Sequence, residues 1–243
     1  SAALEGERRV LGKNDPETLA TLGCLAYADA NLARFDEARP LYQSLIHGYR
    51  SSYGEDNSHT LNAINGLAIV DLEQKRFADA EKLLAPALPI YERVFGPDHP
   101  KTLIAVMNLG GAIRQQGRNE EARPYYERAL AMSLKQFGAD SSRTVMAESN
   151  LGALERDAGQ LSQADVHARN AVAHCAKALG ADKPYCGIIL DGMATILTRE
   201  KRYAEAEKDL DRAYAMLSKG MGPDHPRTQD VIDHYVDLYT AWA

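Results

Sequence analysis

Residues 102–138 read TLIAVMNLGGAIRQQGRNEEARPYYERALAMSLKQFG, and the fold is decided within them. Leu103, Val106, Leu109, Gly110 and Ile113 recur mostly at three- and four-residue steps, the rhythm of one face of a helix. After a break near Gly117 the same rhythm resumes at Ala122, Tyr125, Tyr126, Ala129, Leu130 and Leu134. Two antiparallel helices joined by a short turn are predicted. Pro124 falls early in the second helix, as Pro40 does in its own segment, where a missing amide costs little. Pro86 and Pro89 fall deeper in theirs and predict a kink or a shortened hydrogen-bond ladder.

The quoted segment closes on a glycine that belongs to a series. Gly12, Gly54, Gly96, Gly138, Gly180 and Gly222 stand forty-two residues apart, so one helix pair is repeated without insertion. Two residues after each comes Asn14, Asp56, Asp98, Asp140, Asp182 or Asp224, and two further on Pro16, Ser58, Pro100, Ser142, Pro184 or Pro226. Thr18, Thr60, Thr102, Thr144 and Thr228 complete the motif, and Cys186 breaks it. Glycine lets one helix stop in a left-handed turn, an Asx side chain is expected to bond free amides at the next helix start, and proline suits a first helical turn. The repeats are therefore 12–53, 54–95, 96–137, 138–179 and 180–221, preceded by the end of another at 1–11 and followed by a capping half-repeat at 222–243. The half-units at the two ends predict a further domain or repeats upstream in a parent chain.

Equivalent positions across the repeats carry the packing rule. Ala26, Ala68, Gly110, Gly152 and Ala194 share one place, and Ala38, Ala80, Ala122, Ala164 and Ala206 another, so helices approach closely there. Phe35, Phe77, Leu161 and Tyr203 mark the turn into the second helix, where Asn119 departs from the rule and predicts a looser interior.

Five aligned units of this kind resemble the tetratricopeptide repeat. The longer period, with FGPDHPKTL at Phe95–Leu103 and GMGPDHPRT at Gly220–Thr228, is most similar to the kinesin-light-chain type. The resemblance covers nearly the whole chain and implies an all-α fold, a right-handed superhelical solenoid of antiparallel helix pairs forming a single domain over 1–243. It also implies a function by class only, a protein- or peptide-binding scaffold without chemistry of its own.

In such arrays the first helices line an inner, concave wall. Counting from Leu109, the wall-facing residues are Ile104, Met107, Asn108, Gly111, Arg114 and Gln115, then Met146, Ser149, Asn150, Ala153, Arg156 and Asp157. Asn62, Asn65, Ile69, Leu72 and Glu73 precede them, and Asp191, Thr195, Thr198 and Arg199 follow. Asn62, Asn65, Asn108 and Asn150 offer amides that can bond the backbone of an extended peptide whatever its side chains. Arg114, Arg156 and Arg199 suit a carboxylate or phosphate, and Ile104, Met107 and Met146 suggest adaptable apolar pockets. The competing reading is that these polar residues bond one another between repeats. A clamp for a C-terminal carboxylate is disfavoured, because the lysines it needs are replaced by Ile104 and Met146.

Composition excludes other classes. The net charge of −6 is spread over 28 basic and 34 acidic residues without a basic run, which argues against nucleic acid. No apolar run approaches a membrane span. His99 and His225 lie three repeats apart, and His167 and His174 lack a third ligand of matching spacing, so loop and surface histidines are expected rather than a metal site or catalytic group. No cofactor is expected. Cys24 reads as a small buried residue. Cys175 and Cys186 flank the Gly180 turn, so a disulfide is conceivable, but neither sits at the turn and free thiols are expected. A cytoplasmic or periplasmic setting is left open by these three residues. Two further readings stand beside the scaffold. One is the sensor or regulatory domain of a bacterial receptor-type Ser/Thr protein kinase, and the other an accessory domain of an enzyme complex.

Overall fold

The computed structural model of the protein describes residues 2–243, with side chains from residue 4 onward. Its elements are α1 (Ala2–Val10), α2 (Pro16–Asn31), α3 (Phe35–Tyr53), α4 (Ser58–Glu73), α5 (Phe77–Phe95) and α6 (Pro100–Arg114). They continue as α7 (Asn119–Phe137), α8 (Ser142–Asp157), α9 (Leu161–Leu179), α10 (Pro184–Arg199), α11 (Tyr203–Met221) and α12 (Pro226–Trp242), with no strand among the described residues. In the five complete repeats the second helix has 19 residues and stops one residue before a glycine of the series. α5 runs as one helix across Pro86 and Pro89.

The junctions repeat one set of bonds. Gly54, Gly96, Gly138, Gly180 and Gly222 have positive φ, and each N–H donates to the carbonyl four residues back, closing the helix before the chain turns. The hydroxyls of Thr60, Thr102, Thr144 and Thr228 then donate to the carbonyls of Gly54, Gly96, Gly138 and Gly222 at 2.6–2.8 Å, latching each new helix to its own junction. The capping residue lies one place later than the sequence suggests. Asp15, Asn57, His99, Ser141 and His225 accept the amide two residues on, because only the residue immediately before the helix holds its side chain over that N–H. His99 and His225 are thus helix caps rather than idle loop residues. The aspartates before the caps serve otherwise: Asp56 pairs with Arg93, Asp140 with His174 and Lys177, and Asp182 with Lys219, each from the end of the same repeat's second helix.

Within each repeat the turn is a second fixed device. Ala33, Lys75, Gly117, Gly159 and Lys201 occupy one equivalent position with positive φ. The following residue donates back to the helix in at least four of them, as in Arg76 N–H to Asp71 O at 2.7 Å.

The chain divides into two compact units, Ser1–Glu121 and Ala122–Ala243, the boundary falling in the first turn of α7. The small-residue positions do what their size predicts: Ala38, Ala80, Ala164 and Ala206 are fully buried, and a Cβ added to Gly152 would meet the Ala164 carbonyl and the Ala168 amide at 3.3 Å. At the place where other repeats carry a large apolar residue, Asn119 has a buried Oδ1 with no hydrogen-bond partner.

Two cysteine expectations are corrected. Cys175 and Cys186 form a disulfide between α9 and α10, with Cα atoms 5.8 Å apart, because antiparallel helices leaving one tight turn face each other a turn beyond it. Cys186 holds the place of the junction threonine, and its Sγ lies 3.7 Å from the Gly180 carbonyl. A covalent link therefore stands where other junctions use a hydroxyl. Cys24 is exposed rather than buried.

Candidate functional site

In the first unit the expected wall lies along α2, α4 and α6, each in contact with the next. Asn108 Nδ2 donates to Asn65 Oδ1 at 2.9 Å, bridging consecutive first helices and leaving a donor and an acceptor unused on the amide pair. Asn62 is exposed beside them. Three apolar side chains stand at the surface, Tyr27 at 65%, Ile69 at 40% and Ile104 at 38% exposure. Met107, expected on the wall, is buried, because an apolar thioether gains by turning into the packing. Arg114 closes α6 half-buried.

In the second unit the expected wall lies along α8, α10 and α12, each in contact with the next, and its chemistry differs. Met146 stands exposed and Asn150 half-buried. Arg156 is already engaged: Nη1 donates to Thr195 Oγ1 at 3.0 Å, and Nε and Nη2 reach Asp157 Oδ1. Arg199 donates to the Arg156 carbonyl at 2.8 Å, so both arginines expected to meet a ligand also brace neighbouring helices. His234 Nδ1 lies 2.7 Å from Asp191 Oδ1, and this bond raises the histidine pKa above its ordinary value. Burial pushes the Tyr185 phenol up to about 12, against a lowering bond from Ser149.

The Asn65–Asn108 and Asp191–His234 bridges are one contact made twice, each spanning 43 residues. His234 was not singled out by sequence, although it lies three repeats beyond Asn108 and that register could have found it.

His167 also departs from expectation. Its Nδ1 lies 2.5 Å from Glu148 Oε2 and its Nε2 lies 3.6 Å from Glu155 Oε1, with both carboxylates buried on α8. The bond from Glu148 raises the His167 pKa, and burial raises that of Glu155. Near it a small cleft of about 200 Å³ is lined by Leu134, Ala139, Thr144, Val145, Glu148, Asn170 and His174. Among the described residues no group of three or more His, Cys, Asp or Glu is arranged to hold a metal ion. No helix of the described residues is long and apolar enough to cross a membrane.

A family model described as tetratricopeptide repeat matches residues 17–92, 59–135, 103–177 and 143–219. No protein of curated function matches the sequence. Among solved structures, the chain is similar to BtubC (BKLC) from P. vanneervenii, with 22% identity over 92% of this chain and 89% of that one, and a TM-score of 0.70. It is similar to a Podospora anserina putative kinesin light chain of nearly identical TPR-like repeats, with 20% identity over 84% and 96% of the two chains and a TM-score of 0.68. A Rap protein complexed with competence and sporulation factor gives 13% identity over 98% and 72%, with a TM-score of 0.69.

Proposed function

The chain belongs to the tetratricopeptide repeat family, and on that premise we propose that it is a protein- or peptide-binding scaffold without catalysis, its first helices supplying the concave binding wall. The observation that carries this reading is the Asn65–Asn108 bridge, flanked by exposed Ile69 and Ile104. An amide pair with donor and acceptor to spare bonds the backbone of an extended segment, and the neighbouring apolar side chains take alternate residues of it. The second unit has Asn150 and Met146 together with Arg156 and Arg199, residues suited to the same use.

Selection of a display library of extended peptides on the whole chain tests this. The selected peptides are expected to bind Asn65→Ala/Asn108→Ala about tenfold more weakly, the effect of two lost hydrogen bonds, with helicity by circular dichroism unchanged. Equal binding to parent and variant would move the site off this wall.

A further inference from the structure

α12 presents a face that its equivalent one repeat earlier buries. Ile232, Val236 and Tyr239 are exposed at 38%, 61% and 49%. One repeat earlier, the same positions are Leu190, Ala194 and Leu197, all at 2% or less, packed in a core cluster with residues of α11 and α12. The face is therefore shaped for another helix. Val236 also replaces the alanine or glycine found there in all five complete repeats, so a helix seated on α12 lies farther off than one inside the array.

The margins of this stripe carry one sign of charge. On one side Asp233 and Asp237 stand exposed, and on the other Glu207 and Asp211 of α11 accept the hydroxyls of Tyr239 and Tyr235 at 2.5 Å. None of these four carboxylates has a basic residue within ion-pair distance among the described residues, although Asp56, Asp140 and Asp182 at the junctions do. Tyr235, Tyr239 and Trp242 form a stacked row along the same face, with centroids 6.2 and 6.3 Å apart. Ring faces beside carboxylates favour cations. A second copy of the chain would bring like charges together, whereas a basic partner neutralises them.

We propose that the exposed α12 face is a docking surface for a basic amphipathic helix, whose apolar stripe covers Ile232, Val236 and Tyr239 while its Lys or Arg margins meet the flanking carboxylates. The surface is separate from the Asn65–Asn108 wall and does not depend on peptide binding there.

Trp242 is the single tryptophan of the chain, stacked on Tyr203 and Tyr239, so its emission reports this face directly. A helix-forming peptide with Leu at i, i+3, i+4 and i+7 and Lys on both flanks is titrated against the whole chain, beside a version with Glu for Lys. The Lys peptide is expected to shift Trp242 emission to the blue, to lose affinity with added salt, and to bind Asp233→Lys/Asp237→Lys about tenfold more weakly. Val236→Asp, at an exposed position, should abolish the shift with helicity intact. Asn65→Ala/Asn108→Ala should leave it unchanged, which separates failure here from failure of the peptide wall. The proposal is overturned if Lys and Glu peptides act alike, or if the Asp variants bind the Lys peptide as the parent does. It is overturned too if sedimentation shows emission following self-association, since a second copy is then the occupant.

Discussion

The two units answer the same structural need with opposite chemistry. Where the first joins α4 to α6 through the neutral amides of Asn65 and Asn108, the second joins α10 to α12 through Asp191 and His234. The first unit's wall shows Tyr27, Ile69 and Ile104 beside its amides; the second shows Arg156 bound to Asp157 and Thr195. Neutral amides bond alike at any ordinary pH, whereas a carboxylate–imidazole bridge holds best when the ring is charged. The amide bridge is therefore expected to be indifferent to pH and the Asp191–His234 bridge to respond to it, and the difference lies in two side chains at a shared register.

The largest expected break in this comparison is covalent. Replacing Cys175 by Ser and Cys186 by Thr gives the Gly180 junction the hydroxyl latch used elsewhere while removing an 11-residue loop constraint. Loop-closure entropy predicts a loss of about 3 kcal/mol, offset by about 1 kcal/mol from the restored hydrogen bond. Hydrogen exchange read by mass spectrometry should show faster exchange over 161–199 and no change over 16–73. Equal protection in both forms would mean that the bridge adds nothing.

Next in size is His167. Removing it leaves Glu148 and Glu155 buried together without the imidazole, and His167→Ala is expected to cost about 1.5 kcal/mol in denaturant unfolding. The pH dependence has a definite sign. His167 and His234 have folded pKa values raised by Glu148 and Asp191, so their contribution is full below the unfolded value of about 6.5 and is lost as pH rises through the raised values. Burial raises Glu155, which likewise favours the folded state at lower pH. The second unit should therefore become less protected between mildly acidic and mildly alkaline solution. Protection that increases over that interval would contradict the assignment.

The smallest effect is the most direct comparison of the two walls. Asp191→Asn/His234→Asn rewrites the charged bridge as the neutral one and should change stability by less than about 1 kcal/mol, while removing this pair's share of the pH dependence. The reciprocal Asn65→Asp/Asn108→His should bring pH dependence to the first unit. If neither exchange moves the profile, the bridges are not its source.

Much of this was legible in the chain because the helix ends are chemical events with few solutions. A glycine before each Asx-x-Pro or Asx-x-Ser segment fixes where one helix stops and the next starts, and the helices end where Gly54, Gly96 and Gly180 require. Side-chain partners were less legible, since they depend on which residues of neighbouring repeats come into register. Asn65 and Asn108 were found individually, but their bond requires knowing that consecutive first helices meet at an offset of one residue. The same ignorance hid His234, and it hid the buried carboxylates around His167, whose helix rhythm alone reads as surface. Distance along the turn does not reveal the disulfide, because the separation across the helix pair decides it.

The junction bonds also say how such a chain can be rearranged. The threonine latches, and the ion pairs Asp56–Arg93, Asp140–Lys177 and Asp182–Lys219, each close within one repeat, so a forty-two-residue block carries its own fastenings wherever it is inserted. Cys175 and Cys186 lie on opposite sides of a repeat boundary. Duplication or exchange of the segment 138–179 or 180–221 alone would strand a thiol, so these two repeats can be copied or recombined without loss only as a pair.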